Sequence, residues 1–361
     1  MRIALSLAFA LLLPASFATS AQSVTPAPPR AASTVTERSP APGPTAPAFN
    51  AADAGEITDV EVVLVSGQYT GPGLWKVSKG DNALWILGTV TPVPKGMDWY
   101  SPQAEAVLAR TQEIIGSPSV MTNVGVGSMF KMAFAMPTLL RARNNPDGKT
   151  LRDVLPTDLY ARWLALKPVY LGNDKSVEEW RPVFAAENLY AVAIKRSGLV
   201  NGTGVGKRIG ELAKKHDIKR TSTAIGSEIK DPKRLAKSFA KAEIDDVQCF
   251  RNVLDRLELD VANAAERANA WASGDIVELT RLYRRGDVML CFDAITKTEA
   301  LRSLGLDTAL ARSQALWLQS AEVALASNHT SFATLPVAEL LQSNGLLARL
   351  KAKGYEVVVP E

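Results

Sequence analysis

Two short apolar runs, 74–77 and 83–89, flank the stretch Ser78-Lys79-Gly80-Asp81-Asn82. Apolar, β-prone residues on either side of a turn-forming segment predict a β-hairpin. This pairing constrains the rest of the chain, because a two-stranded ribbon is stable only when further elements cover its apolar face.

The following residues supply that cover mostly as helix. Positions 91–97 form a loop punctuated by Pro92, Pro94 and Gly96. Ser101-Pro102 opens a helix to about 111: the serine caps, and the proline takes the first helical position, where its missing N–H costs nothing. A short strand is expected at 113–116. Apolar residues recur at helical spacing over 151–166, 177–196 and 205–215, then over 232–241, 245–272 and 275–284. In the longest of these, Val253, Leu257, Val261 and Ala265 lie four apart. Strands are expected at 218–225, 331–335 and 355–359. Helices are expected at 306–326 and 345–353, the last stopped by Gly354. The expected fold class is α/β and helix-rich. A small central mixed sheet comes from the N-terminal hairpin and the C-terminal strands, with a large helical insertion between them.

Residues ahead of the hairpin have a different character. Arg2, the apolar run 3–13 and the small residues up to Ala21 have the form of a cleavable signal peptide over 1–21. The run is too short for a permanent anchor, so the mature chain is expected to be periplasmic or secreted, without a transmembrane anchor. Residues 22–57 are rich in Pro, Ala, Ser and Thr and poor in large apolar side chains, which predicts a disordered tether. The branched run 60–65 reads as an edge strand or as more tether. The folded domain is assigned to 58–361. Its formal charge of +4 is weak for this length and does not call for nucleic acid.

The chemistry-bearing residues are few. Cys249 and Cys291 are the only cysteines, and an even pair in an oxidising compartment reads as a disulfide. Its loop would contribute roughly 4 kcal/mol in the chain-entropy model. Two separate buried thiols are the alternative, and no histidine lies near either cysteine to suggest a metal site. The only histidines are His216, at a charged helix end, and His329, in a polar loop. Gly202 to Arg208 imitates a phosphate loop, but the spacing is one residue short and Arg208 stands where a Ser or Thr would hold magnesium. There is no Gly-x-Ser-x-Gly elbow. Between Lys207 and Lys241 eleven Lys and Arg face four Asp and Glu. That balance suits an acidic polysaccharide, lipopolysaccharide or anionic lipid, or merely solvated helix faces. Trp180, Arg181 and Trp271 read as helix-start and core residues, and Gly274-Asp275 as a helix stop and recap.

Several segments resemble the TraB/GumN family, a group that includes the Tiki metallopeptidases. These are GLWKVSKGDNALWILGT, TPVPKGMDW and SPQAEAVLA near the start of the body, ANAWASGDIVEL in its middle, and SFATLPVAELLQSNGLLARLKAKGYEVV at its end. The resemblance spans 73–359. It implies a site built on two Gly-x-x-His motifs with acidic residues, where neutral imidazoles bind a divalent metal that activates water. The sequence departs at those points. The first motif reads Gly88-Thr89-Val90-Thr91, and the second reads Pro336-Val337-Ala338-Glu339. A strand that ends in Glu in the family runs Ile114-Ile115-Gly116-Ser117 here. Of an Arg-Asn pair, Arg312 survives, followed by Ser313.

The resulting expectation is an exported, non-catalytic binding or assembly protein without a resident metal or other cofactor. Thr91, Arg312 and Glu339 are its vestigial site residues. Lys95 and His329 are further candidates for ligand binding, with His329 paired to Glu339. The expected partner is an envelope protein or an acidic polysaccharide, since the resemblance carries an association with exopolysaccharide. The alternative is a metal-dependent hydrolase or peptidase with a divalent metal at a rebuilt site of Thr91, Glu339, Arg312 and His329, in which Thr91, Arg312 and Glu339 converge on one pocket. A purely structural envelope protein is a third class.

Overall fold

The computed structural model describes residues 71–97, 100–123, 126–202, 204–242, 244–283 and 295–360. The expected signal peptide, the tether, the run 60–65 and Cys291 lie outside the described residues.

In chain order the strands are β1 (Leu74–Lys79), β2 (Asn82–Thr89), β3 (Val93–Pro94), β4 (Glu113–Ile115) and β5 (Ser119–Asn123). They continue with β6 (Leu199–Val200), β7 (Lys219–Thr221), β8 (Ala224–Glu228), β9 (Thr330–Pro336) and β10 (Glu356–Val358). The helices begin with α1 (Pro102–Leu108), α2 (Val126–Ala142), α3 (Leu151–Val154), α4 (Thr157–Tyr170), α5 (Pro182–Arg196) and α6 (Val205–Lys215). They continue with α7 (Pro232–Ala240), α8 (Asp246–Ser273), α9 (Ile276–Tyr283), α10 (Glu299–Arg302), α11 (Ala309–Ser327), α12 (Val337–Leu340) and α13 (Leu346–Ala352).

The expected hairpin forms with longer strands and a tighter turn than the sequence suggested: Lys79 pairs with Asn82, leaving Gly80-Asp81 between them. It becomes part of a six-stranded mixed sheet in the order β10-β1-β2-β9-β4-β7. β1 runs antiparallel to both of its neighbours, β10 and β2, whereas β2, β9, β4 and β7 run parallel. Parallel strands are covered on both faces, and this explains the unbroken burial of Ser331, Phe332 and Ala333 in β9. Two two-stranded sheets, β3-β6 and β5-β8, stand beside the main one.

The apolar residues gather into two main cores. One packs the sheet through Trp75, Leu84, Ile86, Phe332, Trp271 and Trp317. The other packs helices through Trp163, Phe184, Leu189, Phe250 and Leu254. α8 belongs to both: Cys249 to Leu257 face the helical core, while Ala268 and Trp271 face the sheet. Its 28 residues give it a length of about 42 Å, enough to link two layers.

Three expected elements are corrected. The strand over 218–225 is two strands on different sheets, because Thr223 breaks the run and its hydroxyl bonds the Gly116 carbonyl at 2.8 Å. The helix over 151–166 is divided, since Leu155 and Pro156 are extended and α4 starts afresh at Thr157. The helix over 177–196 begins only at Pro182, because Trp180 and Arg181 are extended ahead of the proline. Local caps fall where the sequence placed them. The Ser101 hydroxyl accepts from the Ala104 N–H. Gly274 ends α8 at φ 77°, and Asp275 accepts from the Glu278 N–H.

Candidate functional site at the ends of the parallel strands

In parallel α/β sheets, chemistry gathers outside the carboxyl ends of the strands. Here both motif positions arrive at that edge. β2 and β9 are parallel neighbours with Gly88 opposite Leu335 and Thr89 opposite Pro336. Thr91 therefore follows the end of β2 while Glu339 follows the end of the adjacent β9. β4 completes the edge, with Ile115 opposite Ala333.

Neutral hydroxyls dominate this edge. The Ser117 Oγ donates to the Thr334 carbonyl at 2.5 Å and lies 3.0 Å from its hydroxyl. The Thr89 Oγ1 donates to the Leu335 carbonyl at 3.4 Å. The exposed Thr91 donates through Oγ1 to the Asn201 side chain at 3.4 Å. Lys95, also exposed, holds the same loop through its backbone N–H, which donates to the Gly198 carbonyl.

Glu339 is half-buried and already engaged. Its Oε1 accepts the Leu346 backbone N–H at 2.9 Å, so the carboxylate serves the first turn of α13. Burial raises its pKa, with the Leu346 N–H and Arg349 opposing. Arg312 is exposed, and its Nη2 donates to the Gly305 carbonyl at 2.8 Å. Its neighbour Ser313 is the buried member of the pair. That hydroxyl donates to the Thr223 carbonyl at 2.6 Å and accepts from the Ser119 N–H at 2.8 Å. The structure thus brings the Thr91 and Glu339 positions to neighbouring strand ends and turns the Arg312 guanidinium onto a different loop.

His329 requires a correction. It precedes β9, and its carbonyl accepts from the Ala83 N–H at the start of β2. The seven residues of β9 put about 20 Å between the strand's ends, so His329 and Glu339 lie at opposite edges of the sheet and do not pair. His216 is exposed at the C-cap of α6, as its charged surroundings implied.

A buried polar cluster beneath the first loop is absent from the sequence reading. Asp260 is 1% exposed. It accepts from Arg267 Nη1 at 3.0 Å and the Tyr190 hydroxyl at 2.6 Å, and it also pairs with Arg256. Arg267 Nη2 continues to the Pro92 carbonyl at 3.1 Å, and Tyr283 hydrogen-bonds the Thr91 backbone. Burial, reinforced by the Asp260 charge, raises the Tyr190 pKa well beyond the usual phenol range. The detectable signal was spacing: Arg256, Asp260 and Arg267 sit four and seven apart on one face of α8. A second cluster lies at the opposite sheet edge. There Glu113 accepts from Thr221, from Asn328 at 3.1 Å and from Lys219 at 3.1 Å.

The profile of the TraB/PrgY/gumN family matches residues 73–359. The chain belongs to that family. No curated protein and no solved structure matches it significantly. The metal implied by the Gly-x-x-His resemblance does not fit the residues this family member presents. Uncharged hydroxyls are weak ligands for a divalent ion, and the one carboxylate at the motif positions accepts a backbone N–H. Among the described residues, no group of three or more His, Cys, Asp or Glu is placed to hold a metal. No helix there is long and apolar enough to cross a membrane.

Proposed function

We propose that this family member is an exported cell-envelope protein that acts by binding or assembly rather than by catalysis. One observation carries the reading: the two motif positions reach adjacent strand ends as Thr91 and Glu339, and Glu339 caps α13. An edge of this kind retains the architecture of a hydrolytic site while lacking the imidazoles that would bind a metal and lower the pKa of its water. Export rests on the leader-like residues 1–21 and the Pro- and Ala-rich stretch after them. The partner in this reading is an envelope protein or an acidic polysaccharide. Lys207, Lys214, Lys215 and Arg220, all exposed around α6, would meet it.

The second reading is a hydrolase with a rebuilt site. The raised proton affinity of Glu339 favours it, because a half-buried carboxyl of this kind can serve as a general acid. A hydrolysis assay on peptide and glycan substrates, with and without added zinc, manganese or cobalt, separates the two. The binding reading expects no turnover above the blank. Metal-stimulated turnover abolished by Glu339→Ala would establish the hydrolase instead.

A further inference from the structure

Helix α2 turns an aromatic face to solvent. Phe130 is 76% exposed and Phe134 is 81% exposed. With the exposed Pro137 they occupy positions i, i+4 and i+7, which form one stripe of the helix. The opposite side is anchored. Ala135 and Ala142 are buried, and the Ser128 hydroxyl donates to the Lys230 carbonyl where α7 begins. The stripe is therefore the outer surface of a packed helix.

The neighbouring helix α7 is basic on its outer side. Lys233, Arg234 and Lys237 are exposed, flanked by exposed Lys230 and Lys241, while Pro232 and Ala236 face inward. α2 adds the exposed cations Lys131 and Arg141 and contains no carboxylate. Across 126–142 and 228–241, seven Lys and Arg face two acids, Glu228 and Asp231. Asp231 is engaged at the N-cap of α7.

Large aromatic side chains beside a cationic helix are the composition of an element that lies in a membrane interface. We propose that the α2–α7 face docks on an anionic lipid bilayer. Phe130 and Phe134 enter the boundary between headgroups and acyl chains, and the α7 cations remain among the lipid phosphates. Charge decides the occupant. A second copy of the chain would set two cationic faces against each other, which opposes self-association through this surface. An acidic polysaccharide satisfies the cations but supplies no hydrocarbon phase for the rings. The attachment is peripheral, since 17 residues carrying Lys131 and Arg141 do not form a span. This surface shares no residue with the strand-end site, so it stands whether or not that site is catalytic.

The test is co-sedimentation of the full chain, in one processed form throughout, with vesicles of phosphatidylcholine alone or with equimolar phosphatidylglycerol. Binding is expected to be about tenfold or more stronger to the anionic vesicles and to weaken sharply near 1 M salt. The double variant F130S/F134S should reduce anionic binding by about tenfold or more, with an unchanged circular-dichroism spectrum and melting midpoint. K233S/R234S/K237S should flatten the salt dependence. Phe134→Trp gives an independent readout, a blue-shifted emission on anionic vesicles. The proposal is overturned by vesicle binding indifferent to F130S/F134S, by equal binding to neutral vesicles, or by an emission that does not shift in the Phe134→Trp variant. It is overturned equally by retention on an acidic polysaccharide that needs Lys233 and Lys237 but neither Phe, and by self-association that needs both Phe without any lipid binding.

Discussion

The Trp271 indole N–H donates to the Gly88 carbonyl at 2.7 Å. That bond fixes the end of β2, where the first motif begins, to the longest helix of the protein. Gly88 is also where a side chain has no room: a Cβ there would lie 2.7 Å from Val337 Cγ2 and 2.8 Å from Trp75 Cζ3. Trp271→Phe keeps most of the ring volume and removes the donor. Leaving a buried carbonyl unpartnered should cost about 1–3 kcal/mol, read as a lower urea midpoint at unchanged slope. A midpoint equal to the parent's would show that water or a neighbour replaces the bond.

Asp260 and Arg267 should be coupled strongly. Breaking a buried ion pair from one side strands the other charge, so Asp260→Asn or Arg267→Met alone should cost about 3–5 kcal/mol. The double variant should cost clearly less than the sum. An additive double-mutant cycle would contradict the structural role given to this pair beneath the Thr91 loop.

Glu113 sets an acid limit on stability. Burial works to raise its pKa, but the hydrogen bonds from Thr221, Lys219 and Asn328 outweigh it and hold the carboxyl below the ordinary glutamate value of 4.5. Its contribution is therefore present above pH 4.5 and is lost as the pH falls through the lower folded value. The stability gap between parent and Glu113→Gln should shrink across that window. Glu339 carries the opposite sign: with its pKa raised by burial, its contribution is present at low pH and lost as the pH rises through the folded value. Glu339→Gln should gain on the parent as the pH rises.

Cys249 is buried beside Phe250 in the helical core. Peptide mapping of the unreduced protein should yield one cross-linked pair joining it to Cys291. Reduction should lower stability by roughly 4 kcal/mol. Two alkylatable thiols in the unreduced, denatured chain would refute the pairing.

The legible parts of the fold were those written locally. The turn residues at 78–82, the Ser101-Pro102 cap and the Gly274-Asp275 stop each determine their own geometry within a few positions. Tertiary choices were harder to read. Residues 218–225 read as one β-prone run, and only the Thr223–Gly116 bond shows that the chain changes sheets. The α8 charges are hidden in the sequence because Asp260 and Arg267 are residue types that ordinarily face solvent, yet they are buried as partners of each other. At the strand-end edge, the motif spacing singles out Thr91 and Glu339, and the β2–β9 register puts both just past neighbouring strands. The capping of α13 by Glu339 and the wide separation of Glu339 from His329 depend on how β9 is laid into the sheet.

A strand-end edge built on Thr91 and Glu339 should not sustain a metal site. Elemental analysis by mass spectrometry of the purified protein, after dialysis against trace divalent metals, tests it most directly. Less than about a tenth of an equivalent of any transition metal is expected, since hydroxyl ligands do not retain such ions. A near-stoichiometric metal that disappears in Glu339→Ala would contradict it.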